Sequence, residues 1–383
     1  MTQTHKPSAL QAKFRAAADA MNAALIERSE EIDLCLTAIV AGEHGLLVGQ
    51  PGCGKSLVLD SLLGWLDGPT FSVLLHRTIP VDELMGQISV KALRERDVFE
   101  RNVSGRLPSA VLAVLDEIWK ASPVALSPLL RVLNERVYEV AGKFVPAPLH
   151  SALAGSNEWP KSEGDGIDVS ALFDRFVYRK HVRPISSAAG RERLYDFDGV
   201  AADHKPALPS RVTPAELAAA KAEAAAVPFT DEAKDAFRRI ADVELPKEGV
   251  NPGDRRRKKG VMACRAAAWL DGADAVRPEH LEVLQWVLWD DPAEQPEKVA
   301  RVVARVANPV GMRVNQHLME ADAVLSGCDP HNLMQAAEAS AKLKEIGRQL
   351  AALGAHPKAE KALAYVRGEA KRIGRITAEA MGV

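Results

Sequence analysis

The chain has 383 residues, 47% hydrophobic and 26% charged, the proportions of an ordinary globular protein large enough for two or three domains. Its 49 basic and 51 acidic residues nearly cancel, which excludes a bulk electrostatic attraction to nucleic acid or to an anionic membrane. Cys35, Cys53, Cys264 and Cys328 lie far apart without a C-x-x-C pair, so no zinc site, redox pair or disulfide framework is indicated. No apolar run approaches the length of a membrane span, and the polar start Met1-Thr2-Gln3-Thr4-His5-Lys6 is unlike a signal peptide. A cytoplasmic location without membrane insertion is expected.

In chain order, His44-Gly45-Leu46-Leu47-Val48 reads as a short buried strand and Leu57–Leu66 as a helix. Between them Gly49-Gln50-Pro51-Gly52-Cys53-Gly54-Lys55-Ser56 fits G-x-x-x-x-G-K-[ST] without a mismatch. Glycines let backbone N–H groups close around a phosphate, and the following helix points its positive dipole end at the same place. Lys55 would reach the β- and γ-phosphates, while Ser56 would offer its hydroxyl to Mg²⁺. The pattern predicts a bound nucleoside triphosphate, held by Gly49 to Ser56 and by Leu57 at the start of the helix. Small-residue tolerance accounts for Cys53 better than oxidant sensitivity does.

Further apolar strands are expected at Phe71–Leu75, Val111–Leu115, Leu149–Ala154 and Phe176–Val182, separated by helical patterns such as Pro123–Asn134. This alternation predicts an α/β fold with a mainly parallel sheet. The strand Val111–Leu115 ends in Asp116 and Glu117, suited to holding Mg²⁺ and to polarising an attacking water, respectively. Asn157 would stand beside Asp116 if the two strands are neighbours, and would hold the water from the side opposite Glu117. Arg175, between Asp174 and Phe176, is suited to delivering a guanidinium to a γ-phosphate bound by an adjacent subunit, with Arg179 and Arg131 as alternatives. Val200–Pro214 reads as a proline- and charge-rich linker, after which the chain is helical to its end. Thr213-Pro214-Ala215-Glu216 is a helix start, and the alanine-rich Leu217–Val227 reads as a solvated helix. Asp254-Arg255-Arg256-Arg257-Lys258-Lys259 opens another helix, from which Arg255 or Arg256 would reach the nucleotide while the other charges stay solvated. A nucleic-acid patch is the weaker reading of that run.

Gly49–Ser56, Asp116-Glu117, Asn157, Asp174-Arg175-Phe176 and Asp254-Arg255-Arg256 resemble Walker A, Walker B, sensor 1, arginine finger and sensor 2 of the AAA+ ATPases. Within that group the resemblance is to the MoxR family, in its RavA branch, carried also by Glu27-Arg28-Ser29, Leu115–Lys120, Leu133–Arg136, Ser156–Glu158 and Leu288-Trp289. The resemblance implies a P-loop core with five parallel strands over 1–200, an all-α lid over 201–295, and a hexameric ring with ATP or ADP and Mg²⁺ between subunits. It implies insertions near Gly86–Arg106 and in a hairpin over Val137–Pro146. It also implies chaperone-like remodelling or maturation of a protein client, with a von Willebrand factor A-domain partner. RavA's small β-rich inserted domain has no counterpart in residues 296–383. There Leu343, Ile346, Leu350 and Leu353, then Ala362, Leu363, Val366, Ala370 and Ile373, fall at helical spacing, predicting a helical hairpin or three-helix bundle with a turn at Gly354–Pro357. A nucleic-acid motor and a nucleotide-gated scaffold are the alternative functions.

Overall fold

The computed structural model describes residues 8–160, 169–195, 206–328, 332–353 and 357–380. The chain divides into two compact units, Met1–Ala300 and Arg301–Val383. The first opens with α1 (Ala9–Ala24), whose start is fixed by a capping box between Ser8 and Gln11, and α2 (Ser29–Ala41). Then come β1 (His44–Val48), α3 (Lys55–Trp65), β2 (Thr70–Leu74), α4 (Val81–Met85), α5 (Val90–Arg96) and β3 (Leu112–Asp116). Helix α6 (Pro123–Glu135) is capped by the Ser122 hydroxyl, with Pro123 where no N–H is needed. It leads into a hairpin of β4 (Val137–Val140) and β5 (Lys143–Pro146), then β6 (Ser151–Ser156), α7 (Val169–Arg175), β7 (Phe176–His181) and α8 (Ala188–Tyr195). The expected hairpin is present, and it turns on Ala141 and Gly142, both at positive φ.

Strands β2, β3, β6, β1 and β7, in that spatial order, form one parallel sheet. Its central strands β1 and β6 are buried along their whole length, as a sheet covered on both faces requires. The five strands are those expected, displaced by a residue or two. The largest displacement is in β6, which continues through Gly155 and Ser156 because their partners Leu47 and Val48 prolong the parallel ladder. The ends of β1, β3 and β6 thereby come to one edge, where parallel sheets place their ligands.

The helical part of this unit comprises α9 (Pro214–Ala226), α10 (Asp231–Arg238), a π-helical segment Arg239–Glu244, α11 (Leu245–Lys247), α12 (Asp254–Leu270) and a 3₁₀ segment Pro278–Trp286. Two expectations need correction here. Residues 200–205 of the expected linker lie outside the described residues, but Val212 is buried and its amide and carbonyl bond Trp65 and Asp67, so that end is docked on the core. Helix α9 is also more than a solvated helix. Leu217, Ala220 and Ala224 are fully or almost fully buried on one face against α2 and α12, and short alanine side chains allow that close approach.

Helix α13 (Gln295–Ala307) spans the division between units. The second unit holds α14 (Pro309–Ser326), α15 (Leu333–Ala351) and α16 (Pro357–Ala380), packed as three helices. Leu343, Ile346, Leu350, Ala362, Val366 and Ile373 form its core, with Leu353, Leu363 and Ala370 partly buried at its margin. The predicted stripes are therefore core. Residues 354–356 of the predicted turn lie outside the described residues. No strand occurs among the described residues of this unit.

Candidate functional site

The loop after β1 is shaped by Gly52 and Gly54, whose φ angles of 81° and 79° exclude most side chains. Gly54 is the N-cap of α3, so the first amides of that helix open into the cleft the loop encloses. Lys55 is 94% buried. Its ammonium donates to the carbonyls of Gly49 (2.6 Å) and Gln50 (2.9 Å) and to Asn157 Oδ1 (3.0 Å). Burial lowers its pKa, opposed by the nearby Asp116 and Glu117 carboxylates.

Asp116 ends β3 and lies opposite α3, where the Ser56 hydroxyl donates to its Oδ2 at 3.1 Å. Two ligands occupying adjacent corners of an Mg²⁺ octahedron stand about 3 Å apart. Ser56 and Asp116 thus fit the ion without rearrangement. The other Asp116 oxygen accepts the Glu117 amide at 3.0 Å. Room for this carboxylate comes from Gly155, where a Cβ would lie 2.5 Å from Asp116 Oδ1. Gly155 is a site residue that sequence reasoning missed, since its demand arises only when β3 and β6 are neighbours.

Glu117 has a φ of 53°, a left-handed conformation that glutamate adopts at a cost of about 1 kcal/mol or more. One of its carboxylate oxygens accepts a short hydrogen bond from Asn157 Nδ2, and Lys120 Nζ lies 3.3 Å from the other. Asn157 therefore does not face Glu117 across the site, as expected, but touches it. Strand β6 runs between β1 and β3, so its end meets Lys55 on one side and Glu117 on the other.

Pro51 to Leu57, Asp116, Glu117 and Asn157 line a cleft of about 650 Å³. Its other wall is made of Arg28 and of residues that no motif revealed: Ala24, Leu25, Ile26, Ile185, Arg193 and Leu194. Arg28 Nε donates to the Cys53 carbonyl (2.8 Å), and Arg193 to that of Ala23 (3.0 Å). Glu27 accepts from the amides of Ser186 (2.8 Å) and Ser187 (3.0 Å), which clamps the 185–195 segment beside the loop. Hydrogen bonds from the Ser187 hydroxyl and Ser186 amide hold the Glu27 pKa down at about 2. Glu27-Arg28-Ser29 was the one trace of this wall in the sequence.

The arginines are arranged otherwise than expected. Neither Arg255 nor Arg256 lines the cleft of its own chain. Arg256 is almost fully buried, bonded to the Val287 carbonyl (3.1 Å), Asp290 and Asp174 (3.1 Å). Arg255 donates to the same Asp174 at 2.8 Å, next to Arg175 at 3.4 Å. The rest of the basic run is not simply solvated, since Arg257 pairs with Asp242 (3.2 Å) and Lys259 with Glu43. Phe173 and Phe176, flanking Asp174 and Arg175, are buried among Trp119, Trp159 and Trp289. Arg179 is fully buried with its guanidinium 3.8 Å above the Phe173 ring, and Arg131 is engaged by Glu139 and the Phe144 ring. Arg179 is thereby locked in the core, whereas Arg131, 38% exposed, is held only by a surface pair and the Phe144 ring.

A family model described as the MoxR domain in MoxR-vWA-beta-propeller ternary systems matches residues 12–219, and an AAA lid domain model matches 236–303. An uncharacterized protein of Methanocaldococcus jannaschii is 34% identical over 288 residues, 75% of this chain and 74% of that protein. The chaperone MoxR1 of Mycobacterium tuberculosis is 25% identical over 173 residues, 45% of this chain and 44% of its own. The fold is shared with a candidate ATPase from Cytophaga hutchinsonii, with a TM-score of 0.60 at 18% identity over 78% of this chain and 95% of that one. With the MoxR model spanning more than half of the sequence, the chain belongs to the MoxR family of AAA+ ATPases.

Proposed function

We propose that this protein is an ATP-hydrolysing ring subunit, RavA-like in its motifs, that remodels or matures a protein client together with a von Willebrand factor A-domain partner. The observation that carries the reading is the hydrogen-bonded series from Lys55 through Asn157 to Glu117. It joins the phosphate-holding cation to the carboxylate that would take a proton from water. The amides of the Gly49–Ser56 loop and Lys55 hold the phosphates, and Ser56 and Asp116 would hold an Mg²⁺ ion that would supply charge neutralisation at the phosphate oxygens. Glu117 orients and deprotonates water, and Asn157 fixes the Glu117 carboxylate while its carbonyl holds Lys55.

Neither Arg175 nor Arg255 lines the cleft of its own chain, which supports a ring, hexameric by analogy with the family, in which both act on the neighbour's nucleotide. A neighbour's cation would stabilise charge developing during γ-phosphate transfer. Support for a protein client comes from exposed apolar side chains, Val90 and Phe99 in one insertion and Phe144 in the hairpin. The pairing of the Arg255–Lys259 run with carboxylates weighs against a nucleic-acid motor. The chaperone name of MoxR1 and the vWA component of the matched system support the client and partner. Glu117→Gln should bind ATP and assemble, and lose turnover by about a hundredfold or more in a phosphate-release assay. Turnover retained in that variant would remove Glu117 from its role.

A further inference from the structure

Asp174 takes part in none of the steps above, yet three guanidiniums converge on it. Its Oδ1 accepts from Arg256 at 3.1 Å, while Oδ2 accepts from Arg255 at 2.8 Å and from Arg175 at 3.4 Å. The three arginines differ in exposure. The Arg256 side chain is 4% exposed and is further tied to Asp290 and the Val287 carbonyl, so it is a fixed anchor within the helical lid. Arg175 and Arg255 are 19% and 44% exposed, able to meet an anion from outside. Arg175 Nε is buried without a hydrogen-bond partner, which leaves Asp174 to orient this guanidinium.

The charges show what the carboxylate does. Arg175, Arg255 and Arg256 face Asp174, while Asp290 faces Arg256 and, at 4.0 Å, Arg179, so four cations meet two carboxylates and positive charge is left over. Without Asp174 the Arg175 and Arg255 guanidiniums would repel one another. With it both are bound to one carboxylate oxygen, Asp174 Oδ2, which offsets that repulsion.

We infer that Asp174 is a positioning residue for turnover: it fixes Arg175 and Arg255 as a paired anion clamp and, through Arg256, ties that clamp to the lid. Lid movement in one subunit is then transmitted to the cations it presents to the next subunit's nucleotide. The inference rests on the trans-acting role of Arg175 proposed above. The link joins residues 174–175, at the end of α7, to 255–256, at the start of α12, so only the folded chain brings it together.

The test is turnover in Asp174→Asn, Arg255→Ala and Arg175→Ala, each alone and each mixed into rings with Glu117→Gln subunits. Asp174→Asn keeps the side chain's size and its acceptor for Arg256 but removes the charge. It should lower kcat about tenfold or more, with nucleotide affinity within about twofold of the parent. Mixing with Glu117→Gln should restore activity, because the Asp174→Asn subunits keep an intact cleft and their partners supply an intact clamp. A merely structural lesion would not be complemented in this way. Arg255→Ala should show the same loss and rescue, and the double variant Asp174→Asn/Arg255→Ala should lose little more than the worse single one. Should Asp174→Asn fail to assemble, the exposed Arg255 carries the test by itself. Turnover of Asp174→Asn or Arg255→Ala within about twofold of the parent, with Arg175→Ala inactive, overturns the clamp and leaves the finger standing. Full turnover in Arg175→Ala instead removes the finger, and the clamp with it.

Discussion

His44 opens β1 directly below the phosphate loop and is almost fully buried. Its Nδ1 accepts the Ala152 amide (2.9 Å), while its Nε2 lies 2.9 Å from the Leu133 carbonyl and 2.6 Å from Arg136 Nη1, so the ring ties β1 to β6 and to the end of α6. Burial first, and the Arg136 guanidinium second, push its pKa down to about 3. The unfolded chain therefore takes up a proton near pH 6.5 that the folded chain refuses until far lower pH. Stability is complete above pH 6.5 and is lost as pH falls, by about 2 kcal/mol between pH 6.5 and 5 from this residue. His150, lowered by burial as well, acts in the same direction. Urea unfolding at pH 7 and pH 5 checks this: His44→Asn should shrink the difference between the two by that amount. An unchanged difference would mean that His44 is protonated in the folded state.

At the scale of elements, α9 shows how composition misleads. Alanine has little hydrophobic signal, and a run of it looks like a solvated helix. Yet Ala220 and Ala224 are fully buried between α2 and α12, because only a methyl group fits where helices approach closely. Ala220→Leu should cost about 1–3 kcal/mol by overpacking, whereas Ala218→Leu on the exposed face should change stability by less than about 0.5 kcal/mol. Thermal unfolding of the two variants separates the faces, and equal effects would contradict the packing described. The same logic applies to β6. Its position was misjudged by two residues because Gly155 and Ser156 carry no strand signal, and the ladder with β1 carries the strand through them.

For the whole molecule, the second unit has a core of its own in α14–α16. Leu343→Ala removes a fully buried side chain from it and should destabilise that unit by about 2–5 kcal/mol. Differential scanning calorimetry should then show one transition moving down while the nucleotide-dependent rise of the other is kept. A joint shift of both would show that the units unfold as one. By itself the sequence determined the parts whose physics is local. Consecutive backbone amides cradle a phosphate, so Gly49–Ser56 was legible as a string, as were the strand ending in Asp116-Glu117, the Thr213 helix start and the apolar stripes of α15 and α16. Only the tertiary structure decided which distant groups meet. The contact of Asn157 with Glu117 depends on β6 running between β1 and β3, and the space for Asp116 depends on Gly155 across that same ladder. Asp174 gathers Arg255 and Arg256 because the end of α7 and the start of α12, remote in sequence, meet at one place. Side-chain contacts over such separations are set by strand order and helix packing, which no local pattern encodes.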